Sequence, residues 1–189
     1  MESQPVRFFI ITRRISLSFT VANEFHIDCF QLGMALSPDK SYAVITAAAA
    51  VFTIDTSAED PMSWSEPAKL NITGLGGLTT SDEPNPAVVS INEENKAVVS
   101  LPKNNGFVII DIQNGEVLSS FTQGSVDLVG DFTDNGIIDQ TESKSGVLRE
   151  GFGVAWIGTE YFASANKGGK FTNHRISATL SFYSSLFNA

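Results

Sequence analysis

Cysteine and histidine are nearly missing: the 189 residues hold one cysteine, Cys29, and two histidines, His26 and His174. A single thiol excludes an internal disulfide, and with no histidine pair beside it a zinc site has no ligand set. Cys29 is read as a small buried hydrophobe. The histidines lie far apart and form no motif. Positive charge is scarce as well, 12 Lys and Arg against 21 Asp and Glu, for a formal net charge of -9. Such a chain has no basic field to gather phosphates, which argues against nucleic acid as a main partner. Its acidity fits cations instead. No apolar run approaches the roughly 20 residues of a membrane helix. The opening segment MESQPVRFFIITRRISLSFTVA is interrupted by Arg13 and Arg14, so we expect a strand there rather than a signal peptide. Ile15, Leu17, Phe19 and Val21 alternate with Ser16, Ser18 and Thr20. Helical periodicity is almost absent. No serine has a matching histidine and aspartate, and no cysteine–histidine pair suggests a nucleophile.

What the chain does have is apolar content of 42% with 17% charged residues, enough to bury a core within one domain spanning 1–189. From Ala87 to Phe121 the segments AVVSI, KAVVSL, FVIIDI and EVLSSF are separated by NEEN, PKNNG and QNG. Four short strands joined by tight turns predict an antiparallel meander. The pattern recurs. Met34–Asp55 aligns with Val89–Asp111, and Ala43 falls on Ala97, an offset of 54 positions. Gly153–Gly169 carries a weaker third copy. Repeats of about 40–50 residues with four strands each predict the blades of a β-propeller. The expected fold is therefore all-β, an incomplete propeller of about three to four blades. Approximate blades fall at 15–80, 84–126 and 147–175, followed by a divergent tail at 170–189. SDEPNP (81–86) reads as a rigid linker and ITGLGGLTTS (72–81) as a loop. Since propellers generally need at least four blades to close, the missing ones are either too diverged to read or supplied from elsewhere, including by self-association.

Between the second and third copies lies DFTDNGIIDQTE, Asp131 to Glu142. An EF-hand-type loop places oxygen ligands at positions 1, 3, 5, 7, 9 and 12 with glycine at 6. Counting from Asp131 gives Asp131, Thr133, Asn135, the carbonyl of Ile137, Asp139 and Glu142, with Gly136 at the sharp turn. A hard cation such as calcium suits that set. The same letters also read as an acidic hairpin, with Asn135-Gly136 as its turn and Ile137-Ile138 starting a strand. Both readings stand on the sequence.

The stretch NPAVVSINEENKAVVSLPKNNGFVIIDIQNGEVLSSFTQGSVDLVGDFTDNGIIDQTE, followed by LREGFGVAWIGTEYFASANKGG, resembles the choice-of-anchor I proteins. These β-propeller proteins are related to mesenchyme-specific cell-surface glycoproteins. The resemblance covers about Pro84 to Gly169, and Gly33 to Asp55 faintly. It implies a cell-surface or extracellular location and a complete domain of about seven blades. Where the family tends to read Arg-Glu-Pro-Asp, this chain has Arg149-Glu150-Gly151-Phe152. Where it tends to read Ala-Asn-Glu-Gly-Asp, this chain has Ala165-Asn166-Lys167-Gly168-Gly169. Arg149, Glu150 and Asn166 remain, as ties between blades or the remnant of a site. The implied function is a non-catalytic module binding a protein or carbohydrate partner, with calcium bracing the acidic loop. Labels attached to some members add a metal-dependent phosphoesterase as an alternative, and the incomplete ring adds a truncated copy without activity of its own.

Overall fold

The computed structural model describes residues 4–11, 19–27, 31–133, 135–168, 170–171, 174–175 and 179–184. Cys29 and the residues at 15–18 lie outside them. The described residues hold strands and two 3-10 turns, and no α-helix.

β1 (Gln4–Ile11) and β2 (Phe19–Ile27) form a hairpin. β3 (Gln31–Leu36), β4 (Tyr42–Ala47), β5 (Ala50–Asp55) and β6 (Ala68–Leu70) form the first four-stranded sheet, in sequence order. β7 (Val89–Ile91), β8 (Lys96–Leu101), β9 (Gly106–Asp111) and β10 (Glu116–Thr122) form the second. β11 (Ser125–Gly130) and β12 (Glu142–Leu148) pair only with each other. β13 (Gly151–Ile157) and β14 (Tyr161–Asn166) open the third sheet. After a small hairpin of β15 (Lys170–Phe171) and β16 (His174–Arg175), β17 (Thr179–Ser184) completes it in the order β13-β14-β17. Every pairing is antiparallel.

The sheets stack face to face. Val44, Val51 and Leu70 of the first meet Val89, Ala97, Val99, Leu101, Val108 and Ile110 of the second. Val98, Phe107 and Ile109, on the opposite face of the second sheet, meet Phe162, Val154, Trp156 and Tyr183 of the third. Both faces of the second sheet are thus buried. That explains why KAVVSL and GFVIID are nearly continuous apolar runs, where a half-exposed strand would alternate. β7 lies beside both β3 and β13, so the first strands of the three meanders gather together. Consecutive meanders stacked in this way make the architecture an incomplete β-propeller, with three blades among the described residues. The outer face of the first blade (Ala43, Ile45, Ala47 and Ile54) is covered by Phe25 and Ile27 of β2, with Trp64 alongside.

Directional bonds set the stacking. Thr46 Oγ1 donates to Ala87 O at 2.6 Å, at the entry to the second sheet. Ser100, 54 positions on, donates to Phe152 O of the third at 2.8 Å. Gly33 sits at the first joint because a Cβ there would come within 2.6 Å of Ala87 O. At the opposite end of the stack, Asn95 Nδ2 donates to Asp39 at 3.1 Å and Asn92 Nδ2 to Thr159 O at 3.4 Å. Hydrogen bonds from Ser37, Ser41 and Asn95 hold the Asp39 carboxyl well below the usual carboxylate range.

The repeat is closest at β4 and β8, where the offset of 54 carries Tyr42–Ala47 onto Lys96–Leu101 with the same burial pattern. The segment read as a divergent tail differs from expectation. It holds β17, whose residues pair with β14 from Asn166↔Thr179 to Tyr161↔Ser184.

Phe107 is fully buried against Phe121, Phe162 and Tyr183. Phe107→Ala is expected to cost about 3–5 kcal/mol in a urea melt. Phe182→Ala, at 66% exposure on the third sheet's free face, should change stability by about 0.5 kcal/mol or less. Equal losses would contradict the stacking described.

Candidate functional site

Arg149, Glu150 and Asn166 lie at one end of the stack, and the acidic loop is carried out from it between β11 and β12. The β8–β9 turn, Pro102–Asn105, organises this end. Asn104 is buried, and its Nδ2 donates to Thr79 O, Thr80 O and Glu83 O at 3.0, 3.1 and 3.0 Å, while its Oδ1 accepts from Asn85 N at 2.8 Å. One side chain thereby fixes the linker at 79–85. Beside it lies an open cleft of about 380 Å³ lined by Ala48, Ala49, Thr80, Asp82, Glu83 and Lys103 among others. Two of its residues are in the left-handed region, Ala49 at φ 62° and Thr80 at φ 52°. For a β-branched residue that conformation is unusual and costs about 1–3 kcal/mol; the bonds from Asn104 hold it.

Asn105, also left-handed at φ 44°, begins the second half of this end. Its Nδ2 donates to Gly124 O at 3.0 Å and its Oδ1 accepts from Glu150 N at 3.1 Å. The neighbouring Gln123 is buried between the second and third sheets. Its Nε2 donates to Gly106 O at 3.0 Å and to Gly151 O at 3.2 Å, and its Oε1 accepts from Gly151 N. Gly151 tolerates no side chain, since a Cβ would strike Ser164 Oγ and stand 2.8 Å from Asn166 Oδ1. Sequence reasoning missed Gln123. Nothing in its neighbours marks it, because its role exists only once two sheets meet.

Arg149, Glu150 and Asn166 come to this corner. Arg149 Nη1 donates to Gln123 O at 3.0 Å. Glu150 lies 3.6 Å from Lys167 Nζ. Asn166 is buried, and its Nδ2 donates to Thr179 Oγ1 at 3.0 Å and Ser181 Oγ at 2.8 Å, joining β14 to β17.

From the same corner β11 and β12 run out as a two-stranded arm, and the acidic loop is its tip. Glu142 Oε2 accepts from Phe132 N at 2.8 Å, and its Oε1 accepts from Thr133 Oγ1. Asp131 Oδ2 accepts from Asp139 N at 3.2 Å, and Asn135 Oδ1 from Ile137 N at 2.9 Å. Gly136 makes the turn at φ 75°. The six positions matched to ligands thus lie in one loop, and the side-chain oxygens of Asp131, Asn135 and Glu142 meet its own donors. Among the described residues no three of His, Cys, Asp and Glu are grouped to hold a metal ion. Ile137 and Ile138 start no strand; β12 begins at Glu142. They stand at the tip with 67% and 88% of their surfaces exposed. Lys144 Nζ sits 4.7 Å from the Phe132 ring and braces the neck of the loop.

No protein-family model matches the chain, and no curated protein does. Among solved structures it is similar to the WD40 repeats of RRP9, with 10% sequence identity and a TM-score of 0.43. That match covers 75% of this chain and 46% of the other, so the chain spans under half the length of that structure.

Proposed function

We propose that this chain is a non-catalytic interaction module that takes hold of a partner protein with its arm-bearing end. The observation that carries the reading is the pair Ile137 and Ile138, bare at the tip of a projecting two-stranded arm. Two adjacent isoleucines left in water are unfavourable for the free chain, and they suit an apolar pocket on another surface. Asp131, Asp139 and Glu142 lie in the same loop, so the pocket that fits is rimmed by Lys or Arg. Such a rim steers encounter, while the apolar anchor sets the lifetime of the complex. The resemblance of Pro84 to Gly169 to choice-of-anchor I proteins supports the same reading and adds a cell-surface setting.

The test is capture of proteins on immobilised chain, followed by affinity measurement on what is retained. Ile137→Ser with Ile138→Ser should weaken binding about 30-fold or more and leave the melting temperature unchanged. Raising salt should slow association more than it speeds dissociation. A partner bound equally by the double variant would remove the arm from the proposal.

In this reading the tip is held by its own hydrogen bonds. Both carboxylate oxygens of Glu142 already accept bonds from Phe132 N and Thr133 Oγ1. Thermal melts in excess EDTA and in millimolar calcium should therefore coincide. A calcium-dependent rise that disappears in Asp131→Ala would instead give the loop to the cation, since a ligand of the folded state must raise its stability.

A further inference from the structure

The third sheet has one covered face and one bare face. Strand register identifies what the bare face is. In the second sheet the rows Ser90–Val98–Ile109 and Ser100–Phe107 point toward the third sheet and are covered by it. The corresponding rows of the third sheet are Ala155–Ala163–Phe182 and Gly153–Ala165–Leu180. Phe182 therefore occupies the place of Ile109, and Leu180 that of Phe107. Yet Phe107 is 0% exposed, while Leu180 and Phe182 are 62% and 66% exposed. Ile157 and Tyr161, opposite each other, extend the same face. It is a stacking surface on which none of the described residues stacks, continuous with two interfaces of the same kind.

Its chemistry differs from those two interfaces at one point. At both existing joints a hydroxyl anchors the entry of the following blade: Thr46 to Ala87 O, and Ser100 to Phe152 O. On the bare face the register places Ala165 at that position, and a methyl group cannot donate. The tether to a following blade is absent. The relief is also uneven. Gly153, Ala155, Ala163 and Ala165 make a low shelf on β13 and β14, and Leu180 and Phe182 make a ridge on β17. A shelf beside a ridge is complementary to itself under a two-fold axis: each copy's ridge rests on the other's shelf. β14 is the middle strand, so the axis passes close to Ala163. None of these residues is charged, which lets two chains of net charge -9 approach here with their carboxylates elsewhere.

We infer that the bare face of the third sheet binds a second copy of this chain as a symmetric dimer. Three strands at a spacing of about 4.8 Å and about 20 Å long present a small patch. The contact therefore falls at the low end of specific interfaces, and the dimer is reversible and concentration-dependent. Because like-charged chains must meet, it strengthens as salt screens them.

Sedimentation of the intact chain up to about 200 µM, at low and at high salt, tests this. A monomer–dimer equilibrium that tightens with salt is expected. Leu180→Asp and Phe182→Asp should each abolish it while preserving the melt, since both side chains are already in solvent. Ala163→Cys in a Cys29→Ser background should oxidise to a disulfide-linked dimer, and Met62→Cys, exposed on another surface, should not. A monomer at every concentration overturns the inference. So does a dimer indifferent to Phe182→Asp or one that Ala163→Cys fails to link. Because the arm is elsewhere, the Ile137→Ser and Ile138→Ser changes should leave dimerisation intact, so the two readings fail separately.

Discussion

The burial of both faces of the second sheet is the constraint on which the rest of the molecule depends. β8 and β9 carry apolar residues at Ala97, Val98, Val99 and Leu101 and at Phe107, Val108, Ile109 and Ile110, all of them buried. A meander with that pattern cannot be stable with one face in water, so it requires a sheet on each side. The first and third sheets supply them, and each then presents its own second face. Stability is shared between neighbours, and a defect at one joint is felt on both sides of it.

Apolar burial has no direction, so it does not decide how one sheet is set against the next. Polar groups decide that. Thr46, Ser100 and Gln123 each reach a backbone carbonyl of the adjoining blade. Asn92 and Asn95 link tight turns at the opposite end. Replacing Thr46, Ser100 or Gln123 with an apolar residue would leave a carbonyl at the joint without that donor, at a cost of about 1–3 kcal/mol each. The same polar corner gives the arm a fixed root, because Arg149 and Glu150 lie where β12 returns to the stack.

Much of this was legible in the sequence wherever local chemistry and tertiary position agree. NEEN, PKNNG and QNG are turns, and the offset of 54 marks equivalent strands, because each blade meets the same demand to fill two faces. β17 was harder to see. Thr179-Leu180-Ser181-Phe182 alternates as a strand should, but the β15–β16 hairpin separates it from β14 and breaks the rhythm of the repeat. The acidic loop was ambiguous for a different reason. Side-chain oxygens spaced to surround a cation are also spaced to accept from backbone N–H groups one or two residues on, and Asn135 to Ile137 is such a bond. Asn104 and Gln123 left no local signal at all; each is defined by segments remote in sequence.

The two ends of the stack solve one problem differently. At the first blade the exposed stacking face is covered by Phe25 and Ile27 of β2, which belongs to a two-stranded hairpin and not to a blade. At the third blade no described residue plays that part, and the face is made tolerable by composition. Glycine and alanine fill the shelf, so the apolar area there is small, and the large side chains stand around it, Leu180 and Phe182 on β17 and Ile157 and Tyr161 at the β13–β14 turn. Such a face costs little in water and still gains from a partner of the right relief. Leu180 and Phe182 stand in the register of Phe107 and Ile109, so what distinguishes this face from the covered face of the second sheet is the middle strand, where Ala163 and Ala165 replace Val98 and Ser100.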